Sequence, residues 1–450
     1  MVVTPVAARS AHTGTPMAPG ALPLVGHVPA LVRDPARWLA ACRDTGGIVT
    51  VRLGTRRAHL VCSSELVHEL LVGQVDRFDK GGPLFDRVRV VTGDGLITAR
   101  HRDHRRQRPL MQPAFSPAHV SAYTAAMREE CAALTARWGP RQRIRALSEM
   151  HSLLAGVLVR VLLHADDLPD GAWLAAQVKT LVSGITTRTV LPWAERLPLP
   201  GNRRFQRALR EIHGAADRAV DASRSRPEQS RLMAALLAPD LDGDAFTDED
   251  LRGQVVTLLG AGIETTAATL VWAFLLLARH PEIEARLYEE LDTVLGGRLA
   301  TPDDFRRLPL TRTVVLETLR MYPVAWMLTR VTTADVELGG HRFAAGEDFL
   351  FSPYQLHHDP AVFPRPGVFD PGRWAAPPTP AVRQAFIPFG TGRRRCIGDT
   401  FALAEVTIAL SAIVPRWRLC PAPGGRRAAG RPRFRATLTP EDTPMVTLPR

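Results

Sequence analysis

Lysine is almost absent from this 450-residue chain: of 57 basic residues only Lys80 and Lys179 are lysine. Arginine in place of lysine, with abundant Ala, Gly and Pro, reads as GC-rich coding rather than as a selected binding face. The net charge of +12 therefore does not define a nucleic-acid binder, and no nucleic-acid partner is expected. It can still steer an acidic protein toward the chain. Cysteine is also sparse: Cys42, Cys62, Cys131, Cys396 and Cys420 are odd in number and form no CxxC pattern. That excludes a disulfide framework and points to a reducing cytoplasm. The first thirty residues are broken by Pro and Gly and lack both a signal-peptide core and the roughly 20 apolar residues a membrane span needs. No Gly/Ser linker and no internal repeat divides the chain, so a flexible tail over 1–20 and a single domain over 21–450 are expected.

What is present is hydrophobic periodicity of two kinds. Residues 48–61 (IVTVRLGTRRAHLV) alternate with β-branched content on either side of a Gly-Thr-Arg turn, which predicts a hairpin. From about 63 to 300 the apolar residues recur at helical spacing. Thr247 and Asp250 predict an N-cap for a helix running to Arg279, about 48 Å long at 1.5 Å per residue. Gln254 and Glu264 interrupt its apolar run, so burial in protein is expected and a membrane span is not. Pro281 opens and Gly296 closes the next helix. After about 325, short strands and Pro-rich loops lead to a last helix near Gly398. The expected class is mainly α with small β-sheets.

Chemistry concentrates in Phe386–Glu405, FIPFGTGRRRCIGDTFALAE, where a Gly-rich turn and three arginines bring Cys396 to the start of a helix. Nearby positive charge and the helix N-terminus favour a thiolate there. The other four cysteines fit better as small buried apolar residues. On the long helix, Ala261-Gly-Ile-Glu264-Thr265-Thr266 sets a hydroxyl beside an acid, a pair able to order water and relay protons. Alone, the same residues could be a small-residue packing face with a Thr bonded back to its helix. Glu317-x-x-Arg320 puts an acid and a guanidinium on one helix face, and Arg373 follows in FDPGRW. An isolated ExxR is usually a surface ion pair. His104 and Arg108 share a face of a basic helical start, which alone reads as a solvated stretch. Two acidic motifs look less promising: Asp166-Asp-Leu-Pro-Asp170 reads as a loop, and Asp240-Leu-Asp-Gly-Asp244 lacks the spacing of a calcium loop.

The pattern Phe389, Gly392, Arg394, Cys396, Gly398 resembles the haem-ligand loop of the cytochrome P450 family, and the other three motifs follow in the family's chain order. The resemblance spans about residues 20–450. It implies the cytochrome P450 fold of a haem-thiolate monooxygenase, with haem b and Cys396 as the axial iron ligand. It assigns haem contacts to His104, Arg108, Arg330, Arg394, Phe389 and Ala261, with His104, Arg108, Arg394 and Arg330 on the propionates. Thr265 and Glu264 become the catalytic pair. Glu317, Arg320 and Arg373 become a buried structural clamp behind the cysteine loop.

The implied reaction inserts one oxygen atom from O2 into a C–H or C=C bond of a lipophilic small molecule. Electrons would come from NAD(P)H through an external ferredoxin reductase and ferredoxin, since no GxGxxG or flavin domain is appended. Segments 81–99, 180–200 and 324–328 should face the substrate, and ETLRMYPVAWMLTR is similar to bacterial terpenoid hydroxylases, which suggests a terpene in secondary metabolism. Polyketide, steroid and fatty-acid-like substrates stay open. So do two other classes, a peroxygenase or isomerase and a non-catalytic haem-binding protein; the intact Glu264-Thr265 pair argues against both.

Overall fold

The alternating segment folds as its pattern predicts: β1 (Ile48–Leu53) pairs antiparallel with β2 (Arg56–Val61), with Leu53 opposite Arg56 across a two-residue turn at Gly54-Thr55. The computed structural model describes residues 14–162, 171–226, 230–239, 243–423, 430–441 and 444–450. The hairpin belongs to a five-stranded sheet of order β1-β2-β5-β4-β3, completed by β3 (Phe78–Asp79), β4 (Leu328–Thr332) and β5 (Asp348–Phe351). β5 runs parallel to β2, and the other pairings are antiparallel. The sheet thus ties residues from the first fifth of the chain to residues past 325.

The helical body comprises α1 (Pro35–Thr45), α2 (Pro83–Thr92), α3 (His101–Met111), α4 (Pro117–Arg137), α5 (Ala146–Leu162), α6 (Gly171–Val190), α7 (Pro200–Ser225), α8 (Asp248–Arg279), α9 (Pro281–Leu295), α10 (Pro309–Met321) and α11 (Asp399–Ile413). Proline opens several of them, where its missing N–H costs nothing. α8 carries the expected reciprocal cap: the Thr247 hydroxyl accepts from Asp250 N and the Asp250 carboxylate from Thr247 N, both at 3.1 Å. Such a cap contributes about 1 kcal/mol. Gly296 ends α9 in the left-handed conformation.

α8 crosses the middle of the molecule, packed by α5, α6, α7, α10 and α11. By length and composition it could cross a membrane, yet most of its apolar stretch is buried inside the protein. Gln254 explains one polar interruption, since its carbonyl accepts the Leu96 backbone N–H at 2.9 Å. This bond pins the segment between α2 and α3 against α8.

Two sequence expectations need correction or restriction. The part of the expected flexible tail within the described residues, 14–20, is docked: Ala18 is buried and its N–H donates to the Thr50 carbonyl at 2.9 Å. Backbone pairing along β1 outweighs the Pro/Gly content that suggested a free tail. Asp166–Asp170 lies outside the described residues, as does 240–242. Asp244, which follows, sits 3.5 Å from Arg106 in an ordinary ion pair.

Candidate active site

The site begins with a network that has no access to water. Glu317 and Arg320 on α10 are both fully buried. Arg320 forms a two-pronged pair with Glu317, Nε to Oε2 and Nη2 to Oε1, each 2.9 Å. Glu317 also accepts from Trp374 Nε1 at 2.9 Å and Asp370 N at 3.1 Å, with Arg373 Nε at 3.5 Å. Arg320 also donates from Nη1 to the His357 carbonyl (3.0 Å) and from Nη2 to the Val368 carbonyl (3.2 Å), so each of its three nitrogens has a partner. A buried pair contributes to order only when its leftover donors and acceptors are met, and here they are.

His357 carries this network to the cysteine loop. Its Nδ1 lies 3.2 Å from the Arg320 carbonyl, and its Nε2 accepts the Ile387 backbone N–H at 3.0 Å. Nε2 is therefore the bare nitrogen, and the ring is neutral. Burial holds its pKa well below the ordinary histidine value. Nothing in the sequence around His357 marked it; only its distance from the motifs in space, not in the chain, is small.

Downstream of Ile387 the loop turns through Gly390 and Gly392, at φ +69° and +65°. A Cβ on Gly392 would stand 2.6 Å from the Leu71 carbonyl, so only glycine fits this turn. The Cys396 N–H donates to the Phe389 carbonyl at 2.8 Å, which closes the loop, while Phe389 itself packs on the main core. Cys396 is exposed at the surface of the chain, yet protein atoms crowd the wider shell around its thiol. That burial raises the thiol pKa; the Gly398 N–H, Arg108 and Lys80 oppose it without overcoming it. The lowered pKa expected from the three arginines is thus overridden by desolvation. Coordination to a metal ion deprotonates a thiol outright and would reverse the balance.

Beside the loop the fold gathers buried cations around a single acid. Arg394 donates to Asp79 Oδ1 and to the Ala99 carbonyl, both at 2.6 Å. Lys80 is partly buried, its Nζ donating to the Ile97 carbonyl at 2.7 Å. Burial, then the charges of Arg330 and Arg394, push its pKa well below the lysine value. Burial and Arg394 lower Arg330 to about 10, and burial with Arg394 and Lys80 lowers His104 to about 3. Each cation is held toward its neutral form first by burial and then by its charged neighbours, which the Asp79 carboxylate does not offset. A dianionic group would relieve this, so the donor set fits the two propionates of a haem. Lys80 went unrecognised in the sequence, although a lysine in a chain that otherwise uses arginine was the available signal.

Arg108 sits at the edge of this cluster, near His104 and the Cys396 thiol. Its Nη1 donates to the Arg395 carbonyl at 2.5 Å and its Nε to Gln112 Oε1 at 2.9 Å, so it braces the cysteine loop from α3. It lines an open cavity of about 560 Å³ beside Cys396, with Gln112, Phe115, Arg395 and Asp399. His104, Arg330 and Arg394 are the expected cations that lie together with Lys80.

On α8, whose middle is otherwise buried, the accessible residues are Gly260, Ala261, Gly262 and Thr265. Thr265 bonds back to the Ala261 carbonyl at 2.7 Å, a contact that bends helices. Glu264 points elsewhere: its Oε2 lies 2.9 Å from His151 Nε2 on α5, though poorly aligned for a hydrogen bond, and its Oε1 accepts from Thr437 Oγ1 at 3.2 Å. Burial alone would raise this carboxyl; His151, Thr437 and the charge of Lys179 outweigh it and hold the pKa below the usual range. Of the expected substrate-facing residues, Val324 is in the main core and Trp326 turns away to donate to the Arg435 carbonyl at 2.7 Å.

A helical body that presents one thiol on an arginine-rich loop, braced by a buried Glu-Arg clamp, is the architecture of a haem-thiolate enzyme. A model of the cytochrome P450 family matches residues 16–447, and the chain belongs to that family. It is 42% identical over 447 residues to cyclooctatin synthase of Streptomyces melanosporofaciens, covering 98% of this chain and 96% of that protein. It is also 42% identical over 408 residues to pentalenene oxygenase of Streptomyces avermitilis, covering 89% of this chain and 90% of that protein. Cyclooctat-9-en-7-ol 5-monooxygenase of S. melanosporofaciens is 42% identical over 419 residues, covering 92% of this chain and 90% of that protein. The protein is a cytochrome P450 monooxygenase, which uses haem, O2, a lipophilic substrate and a redox partner.

Proposed function

We propose that the chain binds haem b through Cys396 and hydroxylates or epoxidises a terpene in bacterial secondary metabolism. The observation that carries the site assignment is the meeting of an exposed Cys396 with Arg394, paired to Asp79 at 2.6 Å, and its neighbours Lys80, Arg330 and His104. When bound, the haem would supply activation of O2 and transfer of one oxygen atom to carbon, with thiolate donation favouring O–O cleavage. His104, Arg330, Arg394 and Lys80 would hold the propionates, and Phe389 and Ala261 would contact the ring. Arg108 would fix the loop rather than a propionate. Thr265 would hold a proton at its hydroxyl, supplied from the Glu264 carboxyl through water.

The terpene reading is supported by three relatives of that chemistry, two of which carry a terpenoid name with an oxygenase activity. Electrons would come from NAD(P)H through a ferredoxin reductase and a ferredoxin. An acidic ferredoxin suits the net charge of +12 and the arginine-lined cavity beside Cys396. The described cysteines are all free, which suits the cytoplasm.

The test is a carbon-monoxide difference spectrum of the reduced protein beside Cys396→Ser. The Soret band of a thiolate-ligated haem, lost in the variant with haem retained, is the expected result. The same band in the variant would overturn the ligand assignment. Spectral titration with pentalenene then tests the substrate class.

A further inference from the structure

Glu264 is the acid of the expected relay, and its carboxylate does not face open space. It is held between α5, α6 and the turn before Leu438, with His151 on the first, Lys179 on the second and Thr437 on the third. On the next residue but one, Thr266, α11 contributes Glu405. These are the titratable and polar groups facing this part of α8 among the described residues. His151 and Glu264 are nearly inaccessible, with 5% and 9% of their side chains exposed, whereas Lys179 is exposed.

His151 Nε2 and Glu264 Oε2 stand 2.9 Å apart with the ring N–H not aimed at the oxygen, and a contact this close is tolerated only with a proton on one of the two. A bare imidazole lone pair facing a carboxylate is repulsive, and with both side chains nearly buried solvent screens that repulsion little. The pair therefore holds one proton, on Nε2 or on Oε2, wherever the contact persists. A proton held across one short contact can pass between the two side chains without the heavy atoms moving far, which is what a relay member requires.

We propose that His151 is a positioning residue for proton delivery, holding the Glu264 carboxylate on the α5 side of α8 and sharing with it the proton that Glu264 passes toward Thr265. The step moves one proton and no electrons: it goes from Nε2 to Oε2, Glu264 releases its proton through water to the Thr265 hydroxyl, and solvent on the Lys179 side restores the pair. The inference rests on the Glu264-Thr265 relay proposed above.

The first test needs no turnover. Infrared difference spectra of the resting holoenzyme, wild type minus Glu264→Gln, isolate the Glu264 carboxyl as pH is lowered. In His151→Leu the protonated C=O band is expected to grow in at least about one pH unit higher, a tenfold change in proton affinity. An unmoved midpoint would overturn the inference. The second test uses the holoenzyme with its redox partners and pentalenene as the probe, and reads product formed per NADPH consumed. Glu264→Gln and His151→Leu should each lower that ratio by about tenfold or more, with the double variant no worse than either, as for residues acting as a unit. His151→Gln should fail like His151→Leu, because an amide can donate a hydrogen bond but cannot release a proton. Wild-type coupling in His151→Gln would overturn the proton-sharing role. Wild-type coupling in Glu264→Gln would instead overturn the relay itself.

Discussion

Replacing Lys80 with methionine separates an anion-binding role from a structural one, because the two predict opposite signs in the loaded and empty protein. Methionine keeps most of the volume and removes the charge. In the empty chain Lys80 is partly buried next to Arg330 and Arg394, so deleting its charge relieves desolvation and repulsion. The loss on the other side is the Nζ bond to the Ile97 carbonyl at 2.7 Å, about 1 kcal/mol. With haem bound, the ammonium would face a propionate, and a hydrogen bond between charged groups contributes about 1.5–3 kcal/mol. At about 1.4 kcal/mol per decade, Lys80→Met should lose haem roughly 10- to 100-fold faster to an excess of a scavenging apoprotein.

The empty protein should change by about 1 kcal/mol or less in urea unfolding at neutral pH. Its pH dependence should change too. The folded Lys80 pKa lies below the unfolded value, so the unfolded chain binds more protons and wild-type stability rises with pH up to about 10.4, the unfolded lysine value. The variant should lack that part of the slope. Equal haem-loss rates in wild type and variant would refute the propionate assignment of Lys80. Equal destabilisation of empty and loaded protein would show a purely structural bond.

Glu317→Gln keeps the shape of the clamp but leaves Arg320 as an unneutralised charge at 0% exposure, so unfolding free energy should fall by about 3–5 kcal/mol, read as a urea midpoint shift with unchanged slope. A loss under about 1 kcal/mol would mean the network is not rigid. Glu405, buried on α11 and bonded to Thr266, has its pKa raised well above the usual value by burial. The folded state then binds the extra proton, so wild-type stability falls as pH rises above the unfolded carboxyl value, by at most about 1.4 kcal/mol per unit. Glu405→Gln should match wild type in mild acid and become the more stable protein as pH rises; parallel stability curves would contradict a protonated Glu405.

Local signals were the legible ones. The hairpin at 48–61, the Thr247 cap, the Gly296 stop and the cysteine loop all depend on residues within a few positions of one another, where periodicity and capping chemistry act directly. Glu317 and Arg320 were legible as a pair for the same reason. What the sequence did not display is convergence of distant segments. Lys80 meets Arg330 only because β3 joins β4 from far along the chain, and Asp79 at that sheet edge meets Arg394 only because the cysteine loop packs beside it. His151 reaches Glu264 because α5 packs along α8, and nothing in the spacing of either motif requires it. Arg108 was assigned to a propionate by resemblance alone, and its bond to the Arg395 carbonyl, far along the chain, was another such convergence the sequence did not display. The thiol pKa expectation failed for a related reason: counting arginines in sequence captures charge but not desolvation.

The position of His357 explains why a clamp so far along the chain from Cys396 can govern it. The loop from Ile387 to Cys396 has few backbone bonds of its own, the closure from Cys396 N to the Phe389 carbonyl among them. Its entry is fixed by Ile387 N on His357 Nε2, and that nitrogen is an acceptor only while Nδ1 keeps its proton toward the Arg320 carbonyl. Protonating the ring would place two N–H groups 3.0 Å apart at Ile387 and break the anchor. Burial prevents this by holding the His357 pKa far down, and Arg320, itself held by Glu317, adds a positive charge that pushes it lower. The ion pair therefore acts on the loop through the tautomer of a neutral histidine. Losing Glu317 would loosen Arg320, then the His357 contact, then the loop that carries the sulfur.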